Sequence, residues 1–186
     1  MGFRVAGMVL VAGVLAGCQP VYRNGEPNTA SPYYEPPTGS VVEINHSLEV
    51  PARSNRVYFQ QGRILPWHQV NEYRGYCALR VRDKASQAQR LEPGRYTVRE
   101  VSTEHIFMLA SRPRLRAAAF PVGFDGSDDS REDYQTLALV LSLEGPDERV
   151  QSLACAEWGV PQVMKRVTVD GVRQALGSHA GLTLGG

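Results

Sequence analysis

Arg112, Arg114 and Arg116 recur at alternate positions in SRPRLRAAAF. Alternate residues of a strand share a face, so the three guanidiniums would line up while Leu115, Ala117 and Ala119 turned inward. Such a stripe suits anions: lipid headgroups, lipopolysaccharide phosphates or peptidoglycan carboxylates. The plainer reading is a sheet edge blunted by charge and by Pro113, which has no amide proton to offer a neighbouring strand. A second candidate is the loop over residues 66–76, where Trp67, Asn71 and Tyr73 would line a ligand cleft with Tyr76 beside them. His46, His68, His105 and His179 are scattered without metal-ligand spacing, and neither C-x-x-C nor H-E-x-x-H occurs. GSHAG at 177–181 is not the G-x-S-x-G nucleophile elbow, and no phosphate-cradling glycine loop is present. No catalytic residue, metal or cofactor is therefore expected.

DGSDDSRED, residues 125–133, sets Asp125, Ser127, Asp129 and Asp133 at alternate positions, as a calcium loop would. Ser130 stands where that loop needs glycine for its sharp turn, and Thr136 stands where it needs a bidentate glutamate. A solvated acidic loop, answering the arginine stripe, is the expectation. The 20 Lys and Arg residues balance 19 Asp and Glu residues, which argues against nucleic acid, whose phosphates demand a basic face. Only Lys84 and Lys165 among those basic residues are lysine, a bias that a GC-rich coding sequence explains as well as any binding role.

Met1 to Gly17 holds one charged side chain, Arg4, ahead of the apolar run Val5 to Leu15. A basic start, a short apolar middle and small residues before a cut form a secretory signal peptide, expected over residues 1–17. The run is short of the ~20 residues that a membrane span needs. Leu15-Ala16-Gly17-Cys18 resembles the lipobox of bacterial lipoproteins. That resemblance implies a diacylglycerol on the Cys18 thiol, cleavage before Cys18 and acylation of the new amine, so that membrane lipid itself is the first partner. Two or three acyl chains give stable attachment where one does not. Gln19 stands where the family's sorting rule places an inner-membrane-retaining aspartate, so the resemblance implies the outer membrane.

Residues 19–40, QPVYRNGEPNTASPYYEPPTGS, carry five prolines, two glycines and few aliphatic side chains. Too little apolar surface is available there to offset the entropy of ordering. A tether over residues 18–40 is expected, ~25 Å between its ends as a coil and ~70 Å if stretched as polyproline. The ~140 residues that follow suit a single domain, expected over 41–180, with 181–186 frayed. With Cys18 lipidated, Cys77 and Cys155 remain in a chain exported to an oxidising space, and an even pair there reads as a disulfide. A catalytic thiol would need an electropositive site and a base, for which the sequence offers no sign.

Most apolar positions alternate with period two, the mark of half-buried strands. Val42, Ile44, Leu48 and Val50 would share one face of a first strand, with His46 among them, ended by Pro51. Val57 to Gln60 forms a second, stopped at Gly62, and Cys77, Leu79 and Val81 mark a third. Tyr96 to Val101 and Ile106 to Ala110 read as separate strands. Leu137, Leu139, Leu141 and Leu143 mark a central strand, whose apolar alternates Ala138 and Val140 call for cover on both faces. Gly145 to Glu148 turns the chain into Val150 to Ala156, and pairing Glu144 with Arg149 would set Cys155 opposite Ala138. Thr168 as N-cap, Asp170 in the first turn and Gly177 as stop bound one helix, with Val169, Val172 and Leu176 inward. The expected fold class is mainly β, an antiparallel sandwich or partly open barrel with one short C-terminal helix.

The block VYFQQGRILPWHQVNEYRGYCALRVR, residues 57–82, resembles small uncharacterised proteobacterial envelope lipoproteins: a strand ending Gln-x-Gly (Gln60, Gly62), then Asn71 and Tyr73, then a strand carrying Cys77. That family lends a setting and no mechanism. The sequence therefore points to a periplasmic lipoprotein anchored to the outer membrane, non-catalytic, with an interaction or structural role in the envelope. Its partner would be another envelope protein or a glycan. The alternative is a small-ligand or glycan binder, and after it an envelope hydrolase with two converging carboxyls, one raised in pKa.

Overall fold

The structure is a computed structural model that describes residues 21–108, 134–158 and 166–185. The signal segment, Cys18, the stripe of Arg112, Arg114 and Arg116, and the acidic stretch 125–133 lie outside the described residues.

Eight strands form one antiparallel sheet, in the order β12 (Ala180–Thr183), β3 (Val41–Ile44), β9 (Gly94–Met108), β10 (Tyr134–Glu144), β11 (Val150–Ala156), β7 (Tyr76–Val81), β5 (Arg56–Gln60) and β6 (Arg63–Leu65). The sheet curls into a half-barrel, as the alternating pattern led one to expect. Two small two-stranded sheets stand apart, the hairpin of β1 (Tyr22–Arg23) with β2 (Glu26–Pro27), and β4 (Leu48–Val50) with β8 (Gln89–Leu91). The helix α1 (Val169–Leu176) packs on β12 near one edge and on β5 and β7 near the other, filling the concave side. Val169, Val172 and Leu176 are fully buried there against Phe59, Leu79, Leu141 and Leu153. Each such side chain contributes roughly 1.5–3 kcal/mol by leaving water.

Local chemistry sets the ends of α1. The Thr168 hydroxyl accepts from the Gly171 amide at 3.0 Å, a side-chain N-cap. Gly177 ends the helix at φ +59°, and a Cβ there would lie 2.3 Å from the Gly62 Cα. Gly62 in turn donates its amide to the Ala175 carbonyl at 3.0 Å. The tip of the β5–β6 hairpin is thereby fastened to the helix C-terminus.

Five expectations change. The single strand over 42–50 is two, because the Asn45 amide and side chain donate to the His179 and Ser178 carbonyls and lead the chain out of the sheet. His46 is exposed at that departure, and β4 pairs with β8 instead. The strand expected from Tyr96 and the one expected from Ile106 are one, β9, as far as Met108, since polar Ser102 to His105 keep the register with β10; residues 109 and 110 lie outside the described residues. Cys155 lies opposite Leu139, one position from expectation, because the β10–β11 turn takes five residues: Asp147 accepts the Arg149 amide and guanidinium, and the Val150 amide reaches the Asp147 carbonyl. Cys155 therefore faces the helix side with Leu139, Leu141 and Leu153.

The expected tether of residues 18–40 is also shorter. Tyr34 is buried in the main core, Gly39 and Ser40 exchange backbone hydrogen bonds with Val98, and Glu35 pairs with Arg166. Two prolines, Pro36 and Pro37, pre-set an extended path that costs little further entropy to dock. At the other end, 181–186 is not frayed up to Thr183, since β12 pairs with β3 and buries Leu182.

Candidate functional site

The convex face of the sheet carries the features that could meet a ligand or partner. Across β5, β7, β11 and β10 the row Tyr58, Ala78, Ala154, Val140 is mostly small. Small side chains leave a shallow bed, and the loop over residues 66–76 lies in it. Tyr76, Ala138, Val140 and Ala156 are buried there, with Tyr58, Val70 and Ala154 packed on them. This second cluster is the cover that the apolar alternates of β10 required.

Gln60 holds the loop down. Its side-chain amide donates to the Asn71 carbonyl at 2.7 Å and the Arg74 carbonyl at 3.2 Å, and its oxygen accepts from the Asn71 amide at 2.9 Å. The Asn71 side chain accepts from the Tyr73 amide at 3.0 Å and shapes the turn. Tyr73 then meets Trp158 edge-on, their ring centroids 4.8 Å apart, while the Trp158 amide donates to the Glu72 carbonyl. Trp67, in a short 3-10 turn (Trp67–Gln69), leans on Tyr58 at 5.1 Å and Tyr76 at 6.0 Å.

The three residues expected to line one cleft are thus divided. All three are exposed, but Asn71 is committed to loop closure and Tyr73 to Trp158, whereas Trp67 lines a groove. That groove, of about 410 Å³, is walled by Pro51, Val57, Tyr58, Ile64, Leu65, Pro66 and Trp67, with Glu49, Ser54 and Arg56 at its polar margin. Sequence reasoning missed Arg56, Tyr58 and Ile64. Their signal was the run Ile64-Leu65-Pro66-Trp67, four apolar residues directly after a tight turn, where an edge strand leaves them uncovered. A smaller hollow of about 240 Å³ between the hairpin tip and α1 is lined by Gln61, Arg74, Gly75, Glu157 and Gln174 among others.

Burial, helped by the nearby Glu72 carboxylate and Tyr58 and opposed by Arg56, pushes the Tyr76 hydroxyl up to about 12. Burial also raises the Glu72 carboxyl above its ordinary value. Glu72 acts electrostatically on the Tyr76 hydroxyl. No group of three His, Cys, Asp or Glu side chains among the described residues is placed to hold a metal ion. No helix among them is long and apolar enough to cross a membrane.

Cys77 and Cys155 sit directly opposite each other on β7 and β11, both fully buried, and are joined by a disulfide. No family model matches the chain, and no curated protein or solved structure matches it.

Proposed function

We propose that this chain is a lipid-anchored, non-catalytic lipoprotein of the bacterial cell envelope, held at the outer membrane with its domain in the periplasm. In this reading the domain engages another envelope component, a protein or a glycan. One observation carries it: the apolar leader runs directly into Leu15-Ala16-Gly17-Cys18. The bridge between Cys77 and Cys155 supports it twice over, since it suits an oxidising compartment and leaves Cys18 as the one cysteine of the sequence outside a disulfide pair. The docked segment from Tyr34 onward would hold the domain close to the bilayer, with only the residues between Cys18 and the β1–β2 hairpin as a leash.

Cys18→Ser is the test. The variant should leave the membrane fraction and appear in soluble extract, while retention in the membrane would end the anchor reading. A ligand-binding role is the second reading, favoured by the apolar groove beside Trp67.

A further inference from the structure

The groove has a charged neighbour that its lining alone does not reveal. Arg56 at its margin lies directly opposite Arg80 in the β5–β7 register, and both side chains are exposed on the convex face. Opposed residues of adjacent strands bring their Cβ atoms within about 5.5 Å, and like charges so placed destabilise a sheet. No ion pair or side-chain hydrogen bond relieves either guanidinium among the described residues. Glu49, also on the margin, stands across from Arg90 on β8, whose guanidinium pairs with Glu92. Two guanidiniums without an ion pair among the described residues thus stand side by side at the mouth of a mostly apolar groove, outnumbering the one carboxylate, Glu49, on its margin.

We propose that the groove binds a single-chain anionic amphiphile, an alkyl chain ending in a phosphate. Ile64, Leu65, Pro66, Tyr58 and Trp67 take the chain, and Arg56 and Arg80 take the head. Two guanidiniums match a phosphate better than a carboxylate, because a dianion with three equivalent oxygens can accept from both forks at once. The volume of about 410 Å³ falls within the range of small-ligand sites. This inference rests on the ligand-binding reading of the groove and is independent of the anchor, so either can fail alone.

Trp67 is its own reporter once Trp158→Phe removes the other tryptophan. The full chain carrying that change and Cys18→Ser, so that no attached lipid competes, is titrated with dodecyl phosphate below its micelle threshold. The inference expects a saturable change in Trp67 emission. Dodecyl maltoside should bind at least tenfold more weakly, and inorganic phosphate at the same concentration should neither bind nor compete. Arg56→Gln with Arg80→Gln should weaken dodecyl phosphate at least tenfold and bring it level with the maltoside. Because that pair removes a repulsion, its thermal midpoint should hold or rise, which separates lost binding from lost folding. Ile64→Asp, at an exposed edge position, should abolish binding of both amphiphiles. Equal affinity for the two amphiphiles, indifferent to the arginines, would reduce the site to an apolar patch and overturn the inference. Competition by inorganic phosphate would make it an anion site without a chain, and no saturable change with any probe would remove the site.

Discussion

Tyr96 is fully buried on β9, its ring wedged beneath the β10–β11 turn so closely that a Cβ on Gly145 would lie 2.4 Å from it. Its hydroxyl has no hydrogen-bond partner, the one such buried side-chain atom among the described residues. An unpaired buried hydroxyl costs about 1–3 kcal/mol. Tyr96→Phe should accordingly raise unfolding free energy by about 1 kcal/mol in urea titration, and a loss would mean that the hydroxyl has found a partner. Gly177 gives the opposite case. At φ +59° and ψ −132° only glycine is comfortable, and any Cβ meets the Gly62 backbone at 2.3 Å. Gly177→Ala should cost about 3 kcal/mol or more, from strain and overpacking together. The helix stop was legible at Gly177, and Thr168 was legible as the cap, since both act on their own neighbours in the chain. The unpaired Tyr96 hydroxyl was not, because its surroundings come from turns some 50 residues away.

Strands and turns show the same division. Period two identified β5, β7, β10 and β11, because alternation reports which side chains face inward. It did not say which strand each would pair with. Leu48 and Val50 alternate as regularly as Val42 and Ile44, yet β4 joins β8 in a separate ribbon. The β10–β11 register slipped by one because Asp147 binds Arg149 and lengthens the turn, a side-chain choice that residue type alone leaves open. Trp67, Asn71 and Tyr73 were rightly placed in one loop. Gln60 fixes the path of that loop, through three hydrogen bonds to its backbone. The disulfide ties β7 to β11 across 78 positions of chain. Loop-closure entropy values such a bridge at about 4.5 kcal/mol. Cys77→Ala with Cys155→Ala should lower stability by about 4 kcal/mol in urea titration under oxidising conditions. A change below about 1 kcal/mol would mean that the pair is not bridged in the purified protein.

For the whole molecule, burial of tyrosines costs stability at alkaline pH. Tyr76 rises from 10.0 to about 12, and Tyr34 and Tyr96 move in the same direction, each chiefly because burial disfavours the phenolate. Above the unfolded value of 10.0 the unfolded chain releases a proton that folded Tyr76 holds until about 12. Stability from this source is therefore complete below pH 10.0, falls through that window and is lost by about pH 12. Tyr76→Phe should flatten the fall in thermal midpoint across it, and an unchanged slope would place the linkage elsewhere. The helix in the concave side of the half-barrel and the loop on its convex side bury the two apolar clusters, and the groove beside Trp67 is where the ligand is proposed to bind.

The proposed envelope role depends on the anchor that Cys18 is proposed to carry. Intact-mass spectrometry of the protein extracted from membranes tests it most directly. The expected species begins at Cys18, lacks residues 1–17, and exceeds its peptide mass by a diacylglyceryl group and an amide-linked acyl chain. A chain that still carries residues 1–17, or one that begins elsewhere with an unmodified Cys18, would contradict the account.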